Sequence, residues 1–251
     1  MVIKSKQNDK IKEINKLKQK KYRLETGKYI AEGKKIVNEA IKFKKEDILD
    51  ILVSTSYAKK NNVNEKYTII EDEVFEYITE DKNPEGILAI INFPEKKEID
   101  YTNNEIVILD EIRDPGNMGT ILRTLDAVGK KQVILTGDIV DPYMPKVVRS
   151  SMGSIFRLNI KFGNLNEEIE KLKQNGYKIA AADMSGENIY NLEKDKYAII
   201  FSNEANGLKE NILPFIDKKI SIPMEGNAES LNVSVSVGVV MYEIYRKDKF
   251  I

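Results

Sequence analysis

After residue 105 the chain repeats one pattern: a short apolar run, a polar or glycine-bearing turn, then a stretch with helical spacing. Strand-like runs fall at 106–109, 132–136, 155–160, 178–182, 197–201 and 219–222. Strands alternating with helices predict an α/β fold, with a mostly parallel sheet covered by helices on both faces. In such sheets ligands sit beyond the carboxyl ends of the strands, so the chemistry is sought in the segments that follow each run.

Upstream the pattern is shorter. Ile36, Val37, Ala40 and Ile41 share a helix face, 48–53, 67–70 and 86–93 read as strands, and 72–78 as a helix. This is a small α/β unit of its own. The following segment, PEKKEIDYTNNE, is polar, lacks periodicity and starts with proline. The expected division is therefore a domain over 1–94, a linker over 95–104 and a second domain over 105–251.

Charge is balanced overall, 40 basic against 40 acidic side chains, which excludes a uniformly cationic binder. It is unevenly placed, however, since residues 1–28 carry ten Lys or Arg against three acids. Ile11, Ile14, Leu17 and Leu24 recur there at near-helical spacing, predicting an amphipathic helix with a cationic outer face. The chain has no His and no Cys. That removes Ser-His-Asp triads, thiolate nucleophiles, disulfides and His/Cys metal sites, and no metal is expected. No run reaches the length of a membrane span and the first residues have no apolar secretion core, so the expected location is the cytoplasm.

Three segments at strand ends carry polar groups suited to chemistry. In LDEIRDPGNMGTILRTLDAVG, residues 109–129, a Pro-Gly turn leads into a helix expected to be opened by Asn117, with Gly116 and Gly119 allowing close approach and Arg123 near enough to serve the same cleft. In AIIFSNEANGL, residues 198–208, a buried run ends in Ser202, Asn203 and Glu204, and Gly207 closes the turn. In ISIPMEGNAESLNVSVSVGVVMYEIYR, residues 220–246, an irregular loop around Pro223 leads through Ser230, Leu231 and Asn232 into VSVSVGVV. Strand propensity is high there, but the continuation to Tyr245 and the small residues at 234, 236 and 238 predict a closely packed helix.

In this order the three segments resemble the motifs of the SpoU (TrmH) class of SPOUT RNA 2′-O-ribose methyltransferases. The resemblance spans about residues 105–246, and residues 1–94 resemble the substrate-binding domain of some members, related to ribosomal proteins that bind kinked RNA. It implies a deep trefoil knot, a homodimer through the C-terminal domain, and S-adenosylmethionine as cofactor. By position it assigns catalytic and polar roles to Asn117, Arg123, Glu204, Ser230 and Asn232. Cofactor contacts fall to Ser202, Asn203, Gly207, Ile222, Met224 and Leu231. The implied substrate is RNA, ribosomal in preference to transfer RNA.

Two residues depart from the family pattern, which often has glycine where this chain has Ser202 and Ala205. On that ground a noncatalytic RNA-binding protein that kept the fold is one alternative, and a base-directed SPOUT methyltransferase is another. The family role of Arg123 is to activate the 2′-hydroxyl. A guanidinium stays protonated, so stabilising charge on the ribose oxygen and neighbouring phosphate suits it better than accepting a proton.

Overall fold

The computed structural model describes residues 2–95, 97–203 and 207–250. In chain order the elements are β1 (Val2–Ile3), α1 (Asp9–Lys16), α2 (Lys20–Thr26), β2 (Lys28–Glu32), α3 (Lys34–Phe43), β3 (Ile48–Ser54), α4 (Thr55–Lys60), β4 (Thr68–Ile70), α5 (Asp72–Ile78) and β5 (Ile87–Asn92). There follow β6 (Glu105–Asp110), α6 (Pro115–Ala127), β7 (Gln132–Thr136), α7 (Pro145–Ser150), β8 (Asn159–Phe162), α8 (Leu165–Gln174), β9 (Lys178–Asn188), β10 (Tyr197–Ser202), β11 (Lys218–Ser221) and α9 (Val233–Phe250). Two compact units form, one from residues up to Glu95 with Asp141–Phe156, the other from the stretch ending at Val140 and from Arg157 onward.

The first unit is built on a mixed sheet in the order β1-β4-β3-β5-β2. Its apolar core joins Ile11, Ile14 and Leu17 to Val74, Phe75 and Ile78 of α5 and to Ile30, Leu52 and Leu88 of the sheet. The basic stretch is not one helix. It breaks between α1 and α2, which shifts the phase, so that Leu24 is 62% exposed and Arg23 points inward instead. The Arg23 guanidinium donates to the carbonyls of Leu17 (2.8 Å) and Lys18 (2.7 Å) and to Asp141 Oδ2 at 2.8 and 2.6 Å. A buried cation survives because each of its three nitrogens donates and a carboxylate balances its charge.

Asp141 belongs to a segment that the sequence assigns to the second domain. In the structure Asp141–Phe156 packs with the first unit, because Tyr143 sits in an aromatic cluster with Tyr29 and Phe93, and Arg149 lies 3.5 Å from Glu32 and 3.6 Å from Asp81. The run at 155–160 is not a strand. Ser154–Phe156 is a buried 3₁₀ turn, and β8 starts only at Asn159. A short apolar run reports burial without reporting geometry.

The second unit holds a sheet in the order β11-β9-β10-β6-β7-β8, and every pairing within it is parallel. Its inner strands β6, β7 and β10 are buried nearly throughout, as expected when helices cover both faces. The stretch expected to link the domains packs into this unit: Ile99 is buried in its core, with Tyr101 against it. Strand β9 runs well past the expected end at 182. Its pairing with β11 jumps in register between Lys219 and Ile220. At that crossing a Cβ on Gly186 would lie 2.5 Å from the backbone of Lys219 and Ile220, so only glycine fits. VSVSVGVV is helical within α9, because Val233, Val237, Val240, Met241 and Ile244 form one buried stripe, and α9 packs against α6.

Candidate active site

The site starts where β6 ends. Asn117 does not open α6. Asp114 is the N-cap, its Oδ1 accepting the Asn117 N–H at 2.7 Å, and Pro115 occupies the first helical position, where its missing N–H is harmless. The space at Gly116 is taken by that same carboxylate, since a Cβ there would stand 3.0 Å from Asp114 Oδ1. Relieved of capping, the Asn117 side chain turns outward from the helix start. Its Oδ1 accepts from Asn232 Nδ2 at 3.0 Å, joining the first motif to the third across 115 residues of chain.

Asn232 also acts on its own helix. Its Oδ1 accepts from the N–H (3.0 Å) and hydroxyl (2.6 Å) of Ser234, capping the start of α9. One amide thus fixes the beginning of two helices.

Beside this pair lies a cavity of about 400 Å³, within the usual range for small-molecule and cofactor sites. Ser202, Asn203, Gly207, Ile222, Met224 and Leu231 line it, together with Ser230. Gly207 has φ +57°, a conformation that favours glycine, though the space around it is open. Ser202 Oγ is buried with no hydrogen-bond partner among the described residues. Such a hydroxyl costs about 1–3 kcal/mol unless something pairs with it. A polar cofactor entering between these loops meets that unpaired hydroxyl, an apolar stretch of wall that includes Phe201, Leu208 and Val240, and polar side chains such as Asp183 and Glu229. The residues present therefore fit a molecule such as S-adenosylmethionine, apolar over much of its length and polar at its ends.

Not every expected residue joins the cavity. Arg123 is exposed and is not among the described residues that line it. Six residues along α6 carry its backbone about 9 Å from that of Asn117 and roughly 120° around the axis, and neither residue is among the described residues that line the cavity. Glu204, and Ala205 beside it, lie outside the described residues. The wall formed by Ala182, Asp183 and Met184 was missed, because β9 was expected to stop at 182. Strand-end logic applied one residue further would have found it. Burial opposes ionisation of Asp183, but the Ser185 hydroxyl and N–H and the Lys219 ammonium at 3.1 Å hold its carboxyl below the usual range.

A parallel α/β sheet whose strand ends and a late helix enclose one cavity, with the loops pinned by polar side chains, defines a small-ligand site of the kind that binds cofactors. Residues 104–242 match the SpoU rRNA Methylase family, and residues 8–89 match the MRM3-like substrate binding domain. The chain belongs to the SpoU rRNA methylase family. It is 31% identical over 246 residues to the 23S rRNA (guanosine(2553)-2′-O)-methyltransferase RlmP of Bacillus subtilis, covering 96% of this chain and 98% of that one. Among solved structures it is similar to an AdoMet-bound rRNA methyltransferase from Sinorhizobium meliloti, at 28% identity and a TM-score of 0.84 over 100% of this chain and 99% of that one. It is similar too to an RNA 2′-O ribose methyltransferase, at 28% identity and 0.83 over 99% of both chains.

Proposed function

We propose that this chain transfers the methyl group of S-adenosylmethionine to a ribose 2′-hydroxyl of RNA, with ribosomal RNA as the substrate. The observation that carries the reading is the convergence of the loops after β10 and β11 on one cavity, bolted to the start of α6 by the Asn117–Asn232 hydrogen bond. S-adenosylmethionine supplies a methyl group on a sulfonium, open to in-line displacement. What the chain contributes is placement, and holding two reactants in line is worth about 7–11 kcal/mol. Ser202 Oγ, Asn203 and the wall around Gly207, Ile222, Met224 and Leu231 hold the donor, while Ser230 and Asn232 fix the loop that closes over it. The Arg123 guanidinium stabilises negative charge on the ribose oxygen and the neighbouring phosphate. Glu204 serves to orient these groups.

The same reading makes the chain a cytoplasmic homodimer paired through α6 and α9. Its support is an exposed stripe on α9, with Val235 49% and Tyr242 52% exposed, beside a helix that exposes Arg123. Because Arg123 lies away from its own chain's cavity wall, pairing would give it a ribose to reach. Among the described residues no helix is long and apolar enough to cross a membrane. The trefoil knot is supported by the return path of the chain, which leaves the sheet at the edge strand β11 and then sets Asn232 against the start of α6, which follows an inner strand. RNA capture falls to the first unit, where the ammoniums of Lys6 and Lys18 lie 5.7 and 5.9 Å from the Tyr77 ring centre and Lys16 lies 5.5 Å from that of Tyr22. Cations of this kind bind phosphates with little regard for sequence.

The test is to incubate the full chain with labelled S-adenosylmethionine and ribosomal RNA lacking the modification, then hydrolyse with alkali. The expected result is label in a single alkali-resistant dinucleotide. Label on a base, or binding of both partners without transfer, would overturn the reading.

A further inference from the structure

The strand end that leads into the first motif holds a strained residue that the reaction described above does not use. Glu111 has φ +56°, a left-handed conformation rare for a residue with a long side chain. The surroundings enforce it. Its N–H donates to the Thr136 carbonyl at 3.1 Å, and Gly137, itself at φ +71°, leaves open the space that the side chain fills, since a Cβ there would lie 2.7 Å from Glu111 Cγ. Held in this way, the carboxylate is 15% exposed and stands 2.7 Å from Lys209 Nζ. Asp110 Oδ2 lies 3.7 Å from the same ammonium, and Arg113 lies 3.5 Å from the other Glu111 oxygen. The hydrogen bond from Lys209 to Glu111 raises the lysine pKa.

Lys209 is placed where this matters. It follows Gly207 and Leu208, which line the cavity, and it is the N-cap of the 3₁₀ turn Glu210–Phe215. An ordinary surface ion pair requires no strained backbone, and glycine at 111 would hold the same turn without strain.

We infer that Glu111 is a positioning residue for the methyl donor: its inward-held carboxylate fixes Lys209, and through it the part of the cavity wall formed by Gly207 and Leu208. The inference rests on reading the cavity as the S-adenosylmethionine site. It ties the strand end of the first motif to the loop of the second by an ion pair, independently of the hydrogen bond from Asn232 to Asn117 that ties the third motif to the first.

Calorimetric titration of S-adenosylmethionine into the full chain, with steady-state kinetics and thermal melts, tests it. For Glu111→Gln and Lys209→Met the expected result is a weakening of cofactor Kd and KM by about three- to fivefold, the upper end for one partly exposed ion pair, with kcat at saturation changed by much less. The double variant E111Q/K209M should lose no more than either single variant. Glu111→Gly should lose the same affinity while its Tm stays level or rises, because glycine releases the strain. Wild-type affinity in Glu111→Gln, additive losses in the double variant, or affinity lost only alongside a lowered Tm would each overturn the inference. A wild-type chain that does not bind S-adenosylmethionine would remove the cavity reading and this inference with it.

Discussion

Strand β10 of the second unit buries Tyr197 through Phe201 as an unbroken apolar run, whereas β2 of the first unit ends on Glu32, a buried carboxylate facing Thr79 and Arg149. Burial pushes the Glu32 pKa up, against the pull of the Thr79 hydroxyl and of Arg149. The contrast extends to what each set of contacts joins. In the first unit the buried ions, Arg23 with Asp141 and Glu32 with Arg149, bind residues before 95 to the returning segment Asp141–Phe156. In the second unit Glu105 marks the start of β6, where it pairs with Lys130, itself 2.7 Å from Asp248, and Asp110 marks its end. A sheet held by apolar burial leaves the loops at its carboxyl ends to shape a cavity. Both units bury ion pairs, but those of the first join distant segments of its chain, while in the second Lys130 ties the start of the apolar strand β6 to α9.

The sharpest way to break this contrast is Asp141→Ala, which strands the Arg23 guanidinium in a buried site. Losing one partner of such a pair should destabilise the first unit by about 3–5 kcal/mol. Hydrogen exchange should accelerate in residues 2–95 and 141–156, with S-adenosylmethionine affinity nearly unchanged. If affinity collapses in step, the two units do not rest on separate foundations.

Next comes Arg123→Ala, which should lower methyl transfer by about 10²–10³-fold, the usual loss when one charge-stabilising group is removed. Calorimetry should show cofactor binding unaltered, since Arg123 is not part of the cavity wall. Near-normal turnover would take Arg123 out of the mechanism.

The smallest effect concerns Asp72 at the start of α5, which accepts from the Ser56 hydroxyl at 2.7 Å and N–H at 2.9 Å. These bonds hold its pKa at about 2, below the ordinary 3.8. Because the folded value is depressed, the contribution to stability is complete above the ordinary value and is lost as pH falls toward 2. Asp72→Asn should therefore lower the stability of the first unit at neutral pH, leave it nearly unchanged near pH 2, and so flatten the acid side of its stability profile. Melts between pH 2 and 5 would show it, and an unchanged acid slope would refute it.

Much of the framework could be read locally. The helix at 72–78 and the strand at 132–136 coincide with the observed elements, the first because Val74, Phe75 and Ile78 share one face, the second because an apolar run lies between Gly129 and Gly137. VSVSVGVV reads as helix despite its propensity, once its length and small residues are weighed. Strand β2 passed unnoticed because Lys28–Glu32 mixes charged ends with three apolar residues, and its partner β5 lies some sixty residues on. The expected cofactor residues line one cavity, though they came from motif resemblance rather than from periodicity. Met184 escaped for the opposite reason: no motif marks it, and the register jump opposite Gly186 that exposes it is a property of paired strands.

By itself the sequence determined what must be buried and what chemistry is closed to the chain. Apolar runs at strand and helix periods are local facts, and a chain without His or Cys cannot use them. Only the tertiary structure decided that Arg23 turns inward while Leu24 faces water, that Asp141–Phe156 returns to the first unit, and that Asn117 meets Asn232. Each of those outcomes joins residues far apart in the chain. Which distant groups meet depends on how the loops close and which partners satisfy a buried charge or amide, and no local period records that.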